Sequence, residues 1–174
     1  LCDITINAPV AKGFTDYRRE LDMSKGEARV YFCDVQKFTR SCFVSRADGI
    51  FVMRLHGVVK GTAISLGIHD KLNSFKPFGR KASSLPFNER FDAKDGFIRF
   101  QAEYADCKPF GTVLRLIGGQ WTYEPENGRA ISEGTQEAVI LALPVVSQNI
   151  DEELDKAQRR LSETEPDYDE LLRR

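Results

Sequence analysis

The sequence predicts an all-β fold, an antiparallel β-sandwich of jelly-roll type with about 8–10 strands, followed by a C-terminal α-helix. Three observations indicate it. Short segments that alternate apolar and polar residues recur along the first 146 residues. Turn sequences such as Asp48-Gly49 and Asn127-Gly128 separate these segments. Strong helical spacing begins only later, so we expect a β-domain at 1–147 and a helix with an acidic tail at 148–174.

The N-terminal segment contains one short strand. Ile4-Thr5-Ile6 alternates and stops at Asn7-Ala8-Pro9, because proline cannot donate a hydrogen bond to a strand ladder. The following segment, Phe14 to Met23, is polar with a weak helical pattern. We therefore expect a strand and then a weakly helical segment before the regular β-structure begins.

Residues 28–68 form four segments that fit one antiparallel meander. Two-residue turns at Asp48-Gly49 and Lys60-Gly61 would fix its register, because glycine accepts the positive φ that such turns need. The predicted cross-strand pairs are Val44 with Met53, Cys42 with Leu55, Leu55 with Leu66, and Met53 with Ile68. Large apolar side chains then share one face, namely Tyr31, Cys33, Val35, Cys42, Val44, Phe51, Met53, Leu55, Ile64, Leu66 and Ile68. A slip of one residue would expose the whole set, so the buried face is well specified.

The cysteines allow two interpretations. A third turn around Lys37 and Phe38 would place Cys33 opposite Cys42, where a disulfide is geometrically possible. The alternative, which we favour, is that both are buried free thiols, since free cysteine is commonly buried. With two histidines and no close Cys-x-x-Cys spacing, we expect no metal site and no cofactor.

Residues 69–95 lose the alternation and interleave basic residues with phenylalanines. We favour an ordered crossover whose phenylalanines pack in the core while the basic residues stay in water. The other interpretation is a surface that follows a phosphate backbone and stacks bases. Its candidate contacts with nucleic acid or another ligand are Lys71, Lys76, Phe78, Arg80, Lys81 and Arg90.

Regular strands resume at Phe97 to Tyr104, where alternate residues face opposite ways. Thr112 to Ile117 is the next strand, and a short one starts at Trp121. Thr135 to Val146 is a nearly continuous apolar run, which is typical of a strand that is buried on both faces. We expect it at the centre of a sheet.

The C-terminal segment has the spacing of an amphipathic helix followed by a polar tail. Its apolar residues recur at intervals of four, three and four, and such a stripe must be buried on its own domain or on a partner. The wider expectation is contact with a protein partner or with a second copy of the chain. The residues expected to make that contact are Ile150, Leu154, Leu161, Tyr168, Leu171 and Leu172.

Composition narrows the function. A net charge of −1 argues against coating nucleic acid or anionic membrane, so nucleic acid is possible but not favoured. The longest apolar run, Ala138 to Val146, is too short to span a bilayer. By elimination we favour a structural or interaction module that is not an enzyme, a subunit of a larger assembly. Deleting residues 150–174 should then weaken association and leave the β-domain folded.

Two other function classes stay open. A capsid-like or nucleic-acid-associated jelly roll would use residues 71–91. A hydrolase would have a pocket between the sheets, with several acidic or histidine side chains converging in one cleft. The carboxylate pair of a glycoside hydrolase comes from distant strands and leaves no local pattern in a sequence.

Overall fold

A computed structural model of the protein shows two antiparallel sheets and, among the described residues, two α-helices. The described residues are 2–9, 13–34, 36–68, 87–104 and 108–174. Within these ranges there are twelve strands: β1 (Asp3–Asn7), β2 (Thr15–Asp22), β3 (Glu27–Cys33), β4 (Lys37–Ser45), β5 (Ile50–Val58), β6 (Ala63–Gly67), β7 (Phe87–Lys94), β8 (Phe97–Tyr104), β9 (Phe110–Ile117), β10 (Trp121–Glu124), β11 (Arg129–Ser132) and β12 (Thr135–Val146). Helices α1 (Ile150–Glu163) and α2 (Tyr168–Arg173) follow. The predicted antiparallel sandwich with a C-terminal helix is confirmed.

The smaller sheet has the order β1-β6-β11-β10, and the larger has the order β2-β3-β4-β5-β12-β9-β8-β7. Strand β12 lies between β5 and β9, which confirms the predicted central strand. Its long apolar run is explained because the smaller sheet covers one face of it and the helices cover the other.

Two apolar layers hold the three parts together. Between the sheets, the fully buried side chains include Ile64, Ile98, Phe100, Leu114 and Ile140. Between the larger sheet and the helices, they include Ile50, Val52, Leu141, Leu154 and Leu161. Strand β8 shows the predicted alternation, because Ile98, Phe100 and Ala102 are buried while Arg99 and Gln101 are half-buried on the other face.

Strands β2 and β3 lie outside both layers. None of their residues belongs to either apolar layer, and most of β2 is exposed. We call these two strands the β2–β3 wing. The segment Phe14 to Met23 is therefore mostly strand, and the prediction of weak helix was wrong. Its pairing with β3 overrides a weak local preference, with a register irregularity between Thr15 and Arg18.

The β4–β5 register differs from the prediction by two residues. Val44 pairs with Phe51 and Cys42 with Met53, so the connecting turn has four residues instead of two. The Ser45 hydroxyl donates to the Asp48 carboxylate at 2.6 Å, and the Asp48 amide donates back to that hydroxyl at 3.2 Å, which stabilises the longer turn. A shift by two keeps side chains on the same face, so Phe51, Met53 and Leu55 still face the other sheet.

Strand β6 leaves the meander and joins the smaller sheet. It pairs with β1 and β11, so the predicted pairs Leu55–Leu66 and Met53–Ile68 were wrong. Strand β12, and not β6, pairs with the edge of β5. The side chains of Leu55 and Leu66 still belong to the same apolar layer between the two sheets.

The β3–β4 turn is earlier than predicted. Cys33 pairs with Lys37, while Cys42 pairs with Ala28 on one side and Met53 on the other. The Cys33–Cys42 disulfide, the interpretation that we did not favour, is therefore wrong, and the two residues are free thiols, as is Cys2. Burial raises the pKa of the Cys42 thiol, which keeps that group protonated at neutral pH.

Candidate functional site

A cleft opens where the β2–β3 wing extends past strand β1 of the smaller sheet. We call it the sheet-edge cleft, and its volume is about 370 Å³. It lies on the face of the larger sheet that looks toward the smaller one. Its lining consists of Ile6, Asn7, Ala8, Phe14, Tyr17, Arg19, Val30, Phe32 and Arg40.

Strand register places two arginines in the sheet-edge cleft. Arg19 pairs with Val30, and Val30 pairs with Arg40, so the three lie in one row across β2, β3 and β4. Directly opposed residues of antiparallel strands point to the same face. The next residue in the row is Leu55, which belongs to the core between the sheets. The cleft is therefore the open continuation of the space between the two sheets.

Three aromatic rings form one wall of the cleft. The Phe14 ring lies 5.7 Å from that of Tyr17 and 5.8 Å from that of Phe32, centroid to centroid. Phe32 stacks on the buried Phe38 at 4.8 Å, which anchors the group to the core. Phe14 and Tyr17 are 52% and 47% exposed, so both rings are accessible to a ligand. Exposed, clustered rings are a common feature of binding surfaces.

Both arginines lie over these rings. The Arg19 guanidinium is 5.3 Å from the centre of the Tyr17 ring, and the Arg40 guanidinium is 5.8 Å from that of Phe32. Arg19 also donates a hydrogen bond to the Tyr17 hydroxyl. Burial lowers the pKa of Arg40, since its half-buried guanidinium has lost part of its hydration. Among the described residues, neither arginine forms an ion pair.

The described lining of the sheet-edge cleft contains no aspartate or glutamate. Glycoside hydrolysis normally needs two carboxyl groups, one as acid and one as base or nucleophile. These residues can therefore bind and orient a ligand, while acid–base chemistry would need carboxyl groups from another part of the protein.

A second pocket, of about 190 Å³, does contain carboxylates. Asp92 and Asp151 line it together with Arg90 and Arg99. The Arg90 guanidinium contacts the Asp151 carboxylate at 2.5 Å, and Lys94 lies 3.4 Å from Asp92. A catalytic acid needs surroundings that keep its carboxyl protonated, whereas each of these faces a cation. We assign this pocket to the ion pairs that hold α1 against β7 and β8.

Comparison with known families identifies the chain. The family model described as "Glycosyl hydrolase family 65, N-terminal domain" matches residues 1–124, which include β1 to β10. The chain belongs to this family. None of the curated proteins compared with the chain matches it.

Membership of the glycosyl hydrolase family 65 N-terminal domain family corrects the function that composition favoured. A structural or interaction module, a subunit of an assembly, was inferred by elimination, and that inference was wrong, because the family is one of glycoside hydrolase domains. Elimination failed because a pair of catalytic carboxyl groups leaves no local pattern in a sequence. The alternative of a hydrolase with a pocket between its sheets agrees better with the match.

The basic residues predicted for nucleic-acid contact are not brought together in the described part of this domain. Lys71, Lys76, Phe78, Arg80 and Lys81 lie outside the described residues. Arg90 is on β7, where its guanidinium donates to Gln101 at 2.7 Å as well as to Asp151. An exposed arginine with two such partners on its own domain is explained without a ligand.

The residues predicted to contact a partner pack on the chain's own larger sheet. Ile150, Leu154, Leu161, Tyr168 and Leu171 are buried there, and Leu172 packs at the edge of the same layer. The expectation of a partner contact through these side chains is corrected, because β4, β5, β9 and β12 present a complementary apolar face. No described helix is both long and apolar enough to cross a membrane.

The segment predicted as a polar tail forms α2, held by a buried polar cluster that sequence reasoning missed. Asp167 caps the helix by accepting from the Glu170 amide at 2.8 Å. The Tyr168 hydroxyl donates to Glu27 at 2.8 Å, and Arg29 donates to the same carboxylate at 2.5 Å. Burial and the contact with Glu27 raise the pKa of Tyr168. The Arg54 guanidinium lies 4.2 Å from the centre of the Tyr168 ring.

The sheet-edge cleft was also missed from sequence, although a signal exists. Tyr17, Arg19 and Leu21 lie two residues apart, which is the spacing of side chains on one face of a strand. Because Arg18, Arg19 and Glu20 are all charged, the alternation of apolar and polar residues that predicts a strand is weak here. The convergence of β2 with β1 and β4 depends on sheet order, which has no local signature.

Proposed function

We propose that the chain acts as a domain of a glycoside hydrolase and holds the saccharide in the sheet-edge cleft while the glycosidic bond is broken. The observation that carries this proposal is the family match over residues 1–124. The cleft supplies a fitting surface, because the apolar faces of sugar rings pack on aromatic side chains and polar groups at the rim fix their orientation.

The chemistry of the residues that line the cleft indicates how each would contact a saccharide. Phe14, Tyr17 and Phe32 offer flat apolar contacts, while Asn7 and the two arginines offer hydrogen bonds to hydroxyl oxygens. No described lining residue offers a carboxyl group, so the residues of the cleft bind and position the substrate. Binding energy from such remote contacts can still accelerate a reaction, because it orients the bond for attack.

The test is hydrolysis of a panel of aryl glycosides that vary in sugar and anomer. The native polypeptide, as its source expresses it, and the 174-residue chain are assayed side by side. We expect the native polypeptide to release the aryl group from at least one glycoside. Failure to hydrolyse any member of the panel, with a folded protein, would overturn the proposal.

The role of the cleft is tested by Tyr17→Ala in the native polypeptide. Loss of one stacking ring should lower kcat/KM on an oligosaccharide by about tenfold, because one such contact contributes about 1–3 kcal/mol. Arg18→Gln is the matched control, since Arg18 is next in sequence and is ion-paired to Glu20 on the opposite face of β2. Equal effects of the two substitutions would remove the cleft from the proposal.

A further inference from the structure

The sheet-edge cleft has a charge that a neutral sugar would not need. Two arginines project into it and its described lining has no acidic side chain. Other arginines of the domain do have acidic partners, such as Arg54 with Asp169, Arg99 with Asp155 and Arg129 with Glu124. Arg46, Arg115, Arg159 and Arg160 also have no acidic partner among the described residues, so what distinguishes Arg19 and Arg40 is that both line one cleft.

Arg40 is the more informative of the two. It is half-buried between β1 and the aromatic wall, and its partner among the described residues is the face of Phe32. A guanidinium that has lost part of its hydration is destabilised unless an anion or hydrogen-bond acceptors replace the water. A bound anion would offset that loss, so the free cleft is arranged for a negative ligand.

The spacing of the arginines fits a group held between them. Arg19 and Arg40 flank Val30 in one cross-strand row, so their backbones are about 10 Å apart, two strand spacings. Both side chains are long enough to lean toward a common point above Val30. The guanidinium fork donates two parallel hydrogen bonds to a carboxylate, and to a sulfate or phosphate oxygen pair equally well.

We propose that the sheet-edge cleft binds a saccharide that carries an anionic group, with the ring on Phe14 and Tyr17 and the anion between Arg19 and Arg40. This inference rests on the proposed function for the sugar and on the two arginines for the charge. The anionic group is a carboxylate, as in a uronic acid, or a sulfate ester, since both present paired oxygens to a guanidinium.

Calorimetric titration of the 174-residue chain tests the proposal. The probes are oligosaccharides of glucuronic and galacturonic acid, neutral glucose and galactose oligosaccharides of the same length, and their sulfated forms. We expect at least one charged probe to bind about tenfold or more tightly than its neutral counterpart, since a hydrogen bond to a charged group is stronger than one between neutral groups. The uronic and sulfated probes separate the two sources of charge.

Substitutions locate the site. Arg40→Gln and Arg19→Gln should each weaken binding of the charged probe by about tenfold and that of neutral probes by less, because glutamine still donates hydrogen bonds to hydroxyl oxygens but carries no charge. Tyr17→Ala should weaken both classes. Arg18→Gln, on the opposite face of β2, should change affinity by less than about twofold, because an exposed ion pair contributes little. Thermal unfolding of each variant shows whether it is folded.

Each contrary outcome overturns the inference. Equal affinity for charged and neutral probes, an Arg18→Gln effect as large as that of Arg40→Gln, or no binding of any charged probe would do so. These outcomes are separate from the proposed function. Hydrolysis of neutral glycosides without charge preference would keep the function and reject the anionic site, whereas anion-dependent binding without hydrolysis would do the reverse.

Discussion

Glu27 is the acidic residue that the described part of the fold buries completely. Burial on its own would raise the pKa of this carboxyl group, but the hydrogen bonds from Arg29 and Tyr168 outweigh burial and lower the pKa below its ordinary value of 4.5. A group whose pKa is lower in the folded state stabilises the fold above its unfolded pKa. That contribution is lost as the pH falls through the folded pKa.

Glu27→Gln should make the free energy of unfolding less dependent on pH in the acidic range. Near pH 7 we expect the variant to lose about 1–3 kcal/mol of unfolding free energy, because a buried charge-assisted hydrogen bond is weakened. As the pH falls below 4.5 and through the folded pKa of Glu27, wild type loses the same contribution, so the difference between the two proteins should shrink. Urea unfolding at a series of pH values measures it.

Glu124→Gln is the control for this comparison. The Glu124 carboxylate also has a lowered pKa, owing to hydrogen bonds from Arg129 and Asn127, but it lies near the surface. Its difference from wild type should vary less with pH. A Glu27→Gln difference that stays constant from neutral to acidic pH would contradict the assignment.

Gly128 ends the turn between β10 and β11 with a φ of 53°, in the left-handed region. A Cβ atom there would lie 2.3 Å from Cδ1 of Phe91, which packs on the core between the sheets. Gly128→Ala should therefore destabilise the fold by about 1–3 kcal/mol, through overpacking and backbone strain.

Gly67→Ala provides the comparison for Gly128→Ala. No heavy atom lies within 4 Å of a Cβ built at Gly67, and its backbone is not in the left-handed region. Its unfolding midpoint in urea should stay near that of wild type. Similar midpoints for the two variants would show that the Phe91 contact has no effect on stability.

The C-terminal helices complete the domain instead of extending from it. Leu154 and Leu161 of α1 are buried against Val52, Val113 and Leu141 of the larger sheet. Removing residues 150–174 would expose that apolar face, so the deletion should unfold or aggregate the β-domain. This outcome is opposite to the expectation that the β-domain would remain folded.

Leu161→Ala tests the helix contact with a smaller change. Leu161 has no exposed surface, and truncation of such a leucine costs about 2–5 kcal/mol through lost burial and the cavity left behind. The free energy of unfolding should fall by that amount. Ser162→Ala, at the next and exposed position, should change it by less than about 0.5 kcal/mol. A small effect of Leu161→Ala would show that α1 is not tightly docked.

The whole molecule has a protected centre and one unprotected side. Strands β5, β12 and β9 are covered by the smaller sheet on one face and by helices on the other. Among the described residues, the β2–β3 wing has neither cover, except where Glu27 of β3 is buried against Tyr168 of α2. Local opening requires less free energy where few apolar contacts are broken, so stability should decrease from β12 toward β2.

Amide hydrogen exchange followed by mass spectrometry should show this gradient. Peptides from β12 and β5 should exchange slowest, and those from β2 fastest among the strands of the larger sheet. A saturating ligand of the sheet-edge cleft should slow exchange in β2 and β3. Uniform protection across the larger sheet would contradict the conclusion that its central strands are covered on both faces and the β2–β3 wing is not.

Alternation at period two was sufficient to predict which side chains of β5, β6 and β8 face the core. The reason is that burial of one face of a strand requires apolar residues at every second position. It could not predict that β6 pairs with β1, since Leu66 faces the same core in either sheet. The predicted Cys33–Cys42 pairing was wrong for a related reason, because the spacing of residues in the sequence does not fix where the turn between β3 and β4 lies. That Arg19 and Arg40 share one cleft could not be predicted until the positions of β2 and β4 in the sheet were known.

Composition and alternation therefore specify a β-sandwich with a central apolar strand and an amphipathic helix, since these depend on which side chains leave water. The order of strands, the docking of α1 and α2 and the sheet-edge cleft depend on contacts between residues distant in sequence. Hydrophobic burial does not distinguish among strand partners that cover the same face, so the folded structure decided them.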